Sequence, residues 1–114
     1  MKINRFEEII AWQKAKVLTV KIYSLFGNSK DYGFKDQILR ASVSVMNNIA
    51  EGFERRTNNE FKHFLYVAKG SCGEVRSMLL LAKELGKIEQ RQADQLCSQS
   101  EEISKILSGF IKTL

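Results

Sequence analysis

Apolar residues return every three or four positions through most of this chain, and the pattern breaks at three places. A first segment covers about 6–26, with Ile9, Trp12, Ala15, Leu18, Ile22, Leu25 and Phe26 on one side and Gly27-Asn28-Ser29 as its stop. The second begins near Phe34 or Lys35 and covers about 34–55. A third, about 58–86, opens behind an Asn cap before Glu60 and closes at Gly86, the residue type favoured just past a helix C-terminus. The fourth, about 89–112, carries a seam of Ala93, Leu96, Ser100, Ile103, Leu107, Phe110 and Leu114, spaced by threes and fours as in a bundle. Long amphipathic helices joined by short connections pack as antiparallel neighbours. The expected fold is all-α: one domain over 1–114, an up-down-up-down four-helix bundle. The longer connection, Gly27 to Gly33, is polar and has the make-up of an ordinary helix–helix loop.

Composition agrees with that architecture. The chain has 114 residues, enough for one core, and no proline, which disfavours a sheet of short strands and tight turns. Eighteen basic residues against thirteen acidic ones leave a net charge of +5, compatible with a polyanionic partner without demanding one. No apolar run approaches a membrane span, and MKINRFEEII lacks the apolar stretch of a signal peptide. A cytoplasmic protein with no membrane partner is expected. Cys72 and Cys97 have neither CxxC spacing nor a histidine partner pattern, so reduced core thiols are expected rather than a metal site.

Within the second segment, QILRASVSVMNNIAEGFERR, the wheel separates two faces. Arg40, Ser44, Asn47, Asn48, Glu51, Glu54 and Arg55 share an arc of roughly 120°, and apolar residues fill the rest. A solvated face is normally rich in Lys and Glu; this one has short hydroxyl and amide groups, which compete with the helical backbone and suit fixed hydrogen bonds. The third segment has a matching oddity in Gly70 and Gly73, mid-helix glycines that cost about 0.5–1 kcal/mol each relative to alanine. With Ser71 and Ser77 they mark an expected close helix contact. Glu74, one turn on, is expected to pair with Arg40 or Arg55, within a subunit or across an interface. Internal network, oligomer contact and ligand site all remain open for these groups.

These stretches resemble a small bacterial family of four-helix-bundle proteins encoded within intervening sequences of 23S ribosomal RNA genes. The resemblance rests on Phe6 with Ala11-Trp12-Gln13-Lys14-Ala15, on Gln37, and on Arg40-Ala41-Ser42-Val43-Ser44-Val45 followed by Asn48-Ile49-Ala50-Glu51-Gly52. It continues through Arg55 or Arg56, Glu60-Phe61, Phe64-Leu65, Ala68, Gly70-Ser71 and Glu74. Two departures are visible: the first connection lacks a proline often present there, and Cys72 stands where an aliphatic residue is more usual. The resemblance implies a homopentamer. It also implies kinship with the accessory protein of diversity-generating retroelements, a basic pentamer suited to nucleic acid and a reverse transcriptase. Arg40, Ser44, Asn48, Glu51, Gly52, Gly70, Ser71 and Glu74 are its signature polar and assembly positions.

Three functions compete. The leading one is a non-enzymatic oligomeric module that binds RNA along its backbone. The first thirty residues carry six basic side chains, among them Lys2, Arg5, Lys14, Lys16 and Lys21, against Glu7 and Glu8, and Arg55 and Arg56 add to them. Basic residues are not interleaved with aromatics in the manner of base-stacking surfaces, so sequence-specific reading is not expected. The alternative is a structural or protein-binding scaffold, with a reverse-transcriptase-like protein as one possible partner. A minor alternative is a small RNase using Arg56 and His63, whose R-x6-H spacing could place a cation and a proton carrier at one phosphate. No catalytic residue, cofactor or metal is otherwise expected.

Overall fold

The computed structural model describes residues 2–114, which form four long α-helices and no strand. A single 3-10 turn, Phe6–Glu8, precedes α1 (Ile10–Phe26), α2 (Tyr32–Phe53), α3 (Asn58–Glu84) and α4 (Gln90–Lys112). Each helix packs on its neighbours in chain order, and α1 closes the ring against α4. The bundle is therefore antiparallel and up-down-up-down. It is a rod of 43 × 22 × 19 Å, with both termini at one end, where Ile3 and Leu114 line the same hollow.

The helix ends differ from the sequence expectations in instructive ways. The chain turns at Ile9, whose extended backbone (φ −75°, ψ 120°) ends the 3-10 turn and leads into α1. The second helix starts earlier than Phe34, because the Asp31 carboxylate accepts the Phe34 N–H at 3.3 Å and caps it. Lys87 reaches that carboxylate at 2.9 Å, and this contact, with the Phe34 bond, holds Asp31 below the usual carboxylate range. In α3 the cap is Thr57, not an asparagine. Its hydroxyl accepts from the Glu60 N–H and touches the Glu60 carboxylate, both at 3.1 Å. Gly86, at φ +71°, lies where the sequence puts the end of the third segment. The Lys87 N–H reaches the Ala82 carbonyl and the Gly86 N–H the Lys83 carbonyl, the two bonds of a Schellman stop.

The core runs the length of the rod, with Leu18, Ile22, Ile38, Val45, Ile49, Leu65, Val75, Leu79, Ile103 and Leu107 fully buried. Small hydroxyls cross three of the helix pairs. Thr19 donates to its own helix at Ala15 (2.8 Å) and lies 3.1 Å from the Ser42 carbonyl of α2, and Ser100 donates to the Cys72 carbonyl of α3 at 2.8 Å. Ser44 and Ser71 join α2 to α3. Each uses spare acceptor capacity on a helical carbonyl or a second hydroxyl. No buried side-chain polar atom among the described residues lacks a partner. Cys72 and Cys97 are buried free thiols. Burial pushes the Cys72 thiol from 9.0 to about 11, and it raises Cys97 as well. One seam residue departs from expectation: Leu25 is exposed, since α1 meets α4 less closely than the other pairs meet.

Candidate functional site

The signature side chains of α2 and α3 meet along one seam. Gln37, Ser44 and Glu51 recur at intervals of seven, so α2 aims them along one edge, with Asn48 beside them and Arg55 just past the helix end. Facing them, α3 presents Phe64, Ser71 and Glu74. The Ser44 and Ser71 hydroxyl oxygens lie 2.9 Å apart, and Asn48 Nδ2 donates both to the Ser44 carbonyl (2.8 Å) and to Ser44 Oγ (2.9 Å). With Oγ accepting from Asn48, the Ser44 hydroxyl hydrogen is free for Ser71. Two turns along α2 toward the loop end, Gln37 Nε2 donates to Glu74 Oε2. Toward the terminal end, Arg55 pairs with Glu51 at 2.9 Å while its guanidinium lies 4.7 Å from the centre of the Phe64 ring. Ser44 and Asn48 are thus spent on fixed bonds, whereas Asn47 is exposed and makes none among the described residues.

Two expectations are not met within the chain at this seam. Within the chain, Glu74 takes Gln37 rather than Arg40 or Arg55. Arg40 sits at the other edge of α2, in a shallow hollow with Tyr23, Asp36, Leu39 and Val43, and Arg55 is held by Glu51. The close helix contact belongs to Gly52, not to Gly70 or Gly73. A Cβ on Gly52 would stand 2.7 Å from Phe64 Cβ and 3.0 Å from Phe61 Cδ1, so only glycine lets α2 reach α3 there. Gly70 and Gly73 are exposed, and a Cβ on either would meet nothing within 4 Å. The close approach falls instead at Gly52, next to the end of α2, because α3 turns Gly70 and Gly73 outward.

The basic residues of the first helix are dispersed. Lys14 is paired with Glu102 of α4 at 3.0 Å, beside a groove of about 440 Å³ lined by Ile10, Val17 and Ile103. Lys16 lies over the Trp12 ring at 5.4 Å, on another flank of α1 from Lys14, and Lys21 lines a separate α1–α4 hollow with Gln92 and Gln95. At the terminal end, Arg55 and Arg56 share a hollow of about 360 Å³ with Ile3, Phe53, Phe61, Phe110 and Leu114. Lys2 and Arg5 flank Ile3 in the chain, and both are exposed. His63 is exposed, its ring edge-on to Phe64, and does not line the hollow that holds Arg56.

Sequence reasoning missed a basic stripe at heptad spacing on α3: Lys62, Lys69, Arg76 and Lys83. Arg76 pairs with Glu101 and Lys83 with Asp94, each at 3.3 Å, across to α4. The seven-residue interval was the signal that could have exposed it. Among the described residues no three His, Cys, Asp or Glu side chains cluster to hold a metal ion, and no helix is long and apolar enough to cross a membrane.

Comparison with known proteins agrees with this bundle. No curated protein sequence matches the chain. A crystal structure of a protein of unknown function from the S23 ribosomal protein family of Bacteroides thetaiotaomicron superposes with a TM-score of 0.85 at 26% identity, covering 90% of this chain and 99% of that one. The family model described as 23S rRNA-intervening sequence protein matches residues 7–109, from the 3-10 turn to the last turns of α4. The chain belongs to the 23S rRNA-intervening sequence protein family.

Proposed function

We propose that this protein is a non-enzymatic module that assembles with copies of itself, as a pentamer by its family resemblance, and binds RNA through phosphate contacts. The observation that carries the reading is the grouping of Arg55 and Arg56 beside the N-terminal segment that bears Lys2 and Arg5, at the terminal end of the rod. Lys2, Arg5 and Arg56 enter no ion pair among the described residues, so their charge is available to a polyanion. A ring of copies would multiply that charge, and affinity for phosphate grows with the number of contacts. Lys14 contributes less, being neutralised by Glu102. Fluorescence anisotropy with a labelled single-stranded RNA tests the reading. Binding should weaken steeply as salt rises from about 50 to 200 mM and fall in the triple variant Lys2→Gln, Arg5→Gln, Arg56→Gln. No binding even at the lowest salt overturns it.

A second reading, a scaffold for another protein such as a reverse-transcriptase-like enzyme, is favoured by a different observation. Ile10, Val17, Val20 and Tyr23 of α1 and Tyr66, Val67, Leu80 and Leu81 of α3 stand exposed on opposite corners of the bundle. Apolar surface of this kind suits subunit or partner contacts. A stable oligomer whose size and melting temperature ignore RNA would select this reading over the first.

A further inference from the structure

The cleft between α3 and α4 contains a glycine that no packing within the chain explains. Gly73 sits mid-helix, where glycine weakens a helix, yet a Cβ there would touch nothing within 4 Å. It opens instead onto a hollow of about 280 Å³ with Lys69 and Arg76 from α3 and Glu101, Ser104 and Lys105 from α4. Three cations against one carboxylate leave the hollow with a net charge of +2. Its floor is polar and closed, since Ser100 donates to the Cys72 carbonyl beneath it. Without a side chain at 73, a ligand can approach the α3 backbone between Lys69 and Arg76.

The charges along this seam divide at that hollow. Toward the loop end, Arg76 and Lys83 are neutralised by Glu101 and Asp94. Toward the terminal end, Lys62 and Lys69 of α3 and Lys105 and Lys112 of α4 enter no ion pair among the described residues. Lys62 and Lys69 are seven residues apart, as are Lys105 and Lys112, so each pair spans about 10 Å on one helix edge. The two antiparallel pairs make a basic lane from Gly73 toward the end of the rod.

We propose that this lane is a phosphate-binding track, with its inner end at Gly73 and with Lys69, Lys105, Lys62 and Lys112 as its cations, fitted to the sugar-phosphate backbone of a nucleic-acid strand. The strand as ligand rests on the RNA-binding reading above; the phosphate chemistry of the hollow does not. Tyr66 stands exposed on the same edge of α3, between Lys62 and Lys69 and seven residues before Gly73, so one base can stack there while the lysine contacts are made to phosphate and carry no sequence.

Two measurements test it on the full chain. In the first, inorganic phosphate is titrated against the protein with amide NMR shifts as the readout, sulfate serving as a second tetrahedral anion. The Gly73, Ser104 and Lys105 amides should shift saturably, and less in Lys69→Gln/Lys105→Gln. Gly73→Ala should weaken the response while leaving the helix intact, since alanine favours helix. Shifts that are absent, or unchanged in both variants, overturn the site. The second measures RNA affinity against salt. Removing two phosphate contacts from a single strand should flatten the slope of log K against log salt by about 1.4. An unchanged slope in Lys69→Gln/Lys105→Gln, with binding lost in the Lys2/Arg5/Arg56 variant, overturns the track and keeps the RNA-binding reading. Saturable phosphate shifts in a protein that binds no RNA support the hollow as a site for free phosphate compounds and refute the strand.

Discussion

Replacing each of three glycines by alanine should give opposite signs, because the geometry around them differs. At Gly52 the new Cβ would lie 2.7 Å from Phe64 Cβ and 3.3 Å from the Phe61 carbonyl oxygen. Phe64 Cβ is attached directly to the α3 backbone, so relief requires the helices to move apart rather than a side chain to swing. Overpacking of this sort costs about 1–3 kcal/mol, and alanine's helix preference returns about 0.5–1 kcal/mol of it. A 2.7 Å contact between two backbone-anchored Cβ atoms puts the cost at about 2–3 kcal/mol, and with about 1 kcal/mol returned the net is a loss of roughly 1–2 kcal/mol. With an unfolding entropy of about 2.1 cal/mol/K per residue, a chain this long shifts by about 4 °C per kcal/mol, so the melting temperature should fall about 4–8 °C. Gly70→Ala and Gly73→Ala meet open space and should each gain about 0.5–1 kcal/mol, or about 2–4 °C. Thermal and urea unfolding of the three variants at one protein concentration give the comparison. A Gly52→Ala protein as stable as the parent would refute the account of the α2–α3 contact. A Gly70→Ala protein that melts lower, with a concentration-dependent midpoint, would refute the open face by putting it inside a subunit interface.

Cys72 keeps its proton in the fold to about pH 11 but loses it near 9.0 when unfolded, so the unfolded chain binds fewer protons between those values. Its contribution is fully present below about pH 9 and lost as pH rises toward 11, by at most about 3 kcal/mol, and denaturation of Cys72→Ala over that range should show a flatter decline. Thr57→Ala removes the α3 cap and should cost about 1 kcal/mol in urea unfolding, with Thr57→Ser close to neutral. Ser44→Ala and Ser71→Ala should each cost about 1 kcal/mol, and their double-mutant cycle should show coupling of at least about 0.5 kcal/mol; strict additivity would mean the two hydroxyls do not share a bond.

Helix number, order and inward faces were legible in the sequence because burial imposes a period of 3.6 on any helix that packs on one side. Leu18, Ile22, Leu96, Ile103 and Leu107 fall on apolar seams by spacing alone and are buried, and the short polar groups of Ser44 and Asn48 suit fixed hydrogen bonds before any partner is known. The start of α2 at Tyr32 and the Thr57 cap were within reach too, since Asp31 and Thr57-x-x-Glu60 are local signals.

Partnerships across helices were not legible. A wheel gives each residue an angle on its own helix but not the rotation or height of the neighbour. Gln37 rather than Arg40 therefore meets Glu74, and Gly52 rather than Gly70 or Gly73 makes the close approach. Charge behaves the same way: counting lysines assigns Lys14 and Lys16 to one basic patch, whereas packing pairs Lys14 with Glu102 and turns Lys16 toward Trp12. Periodicity is a property of one helix and its solvent, so sequence carries it. Which side chain answers which depends on the rigid placement of four helices at once, and only the tertiary structure supplies that.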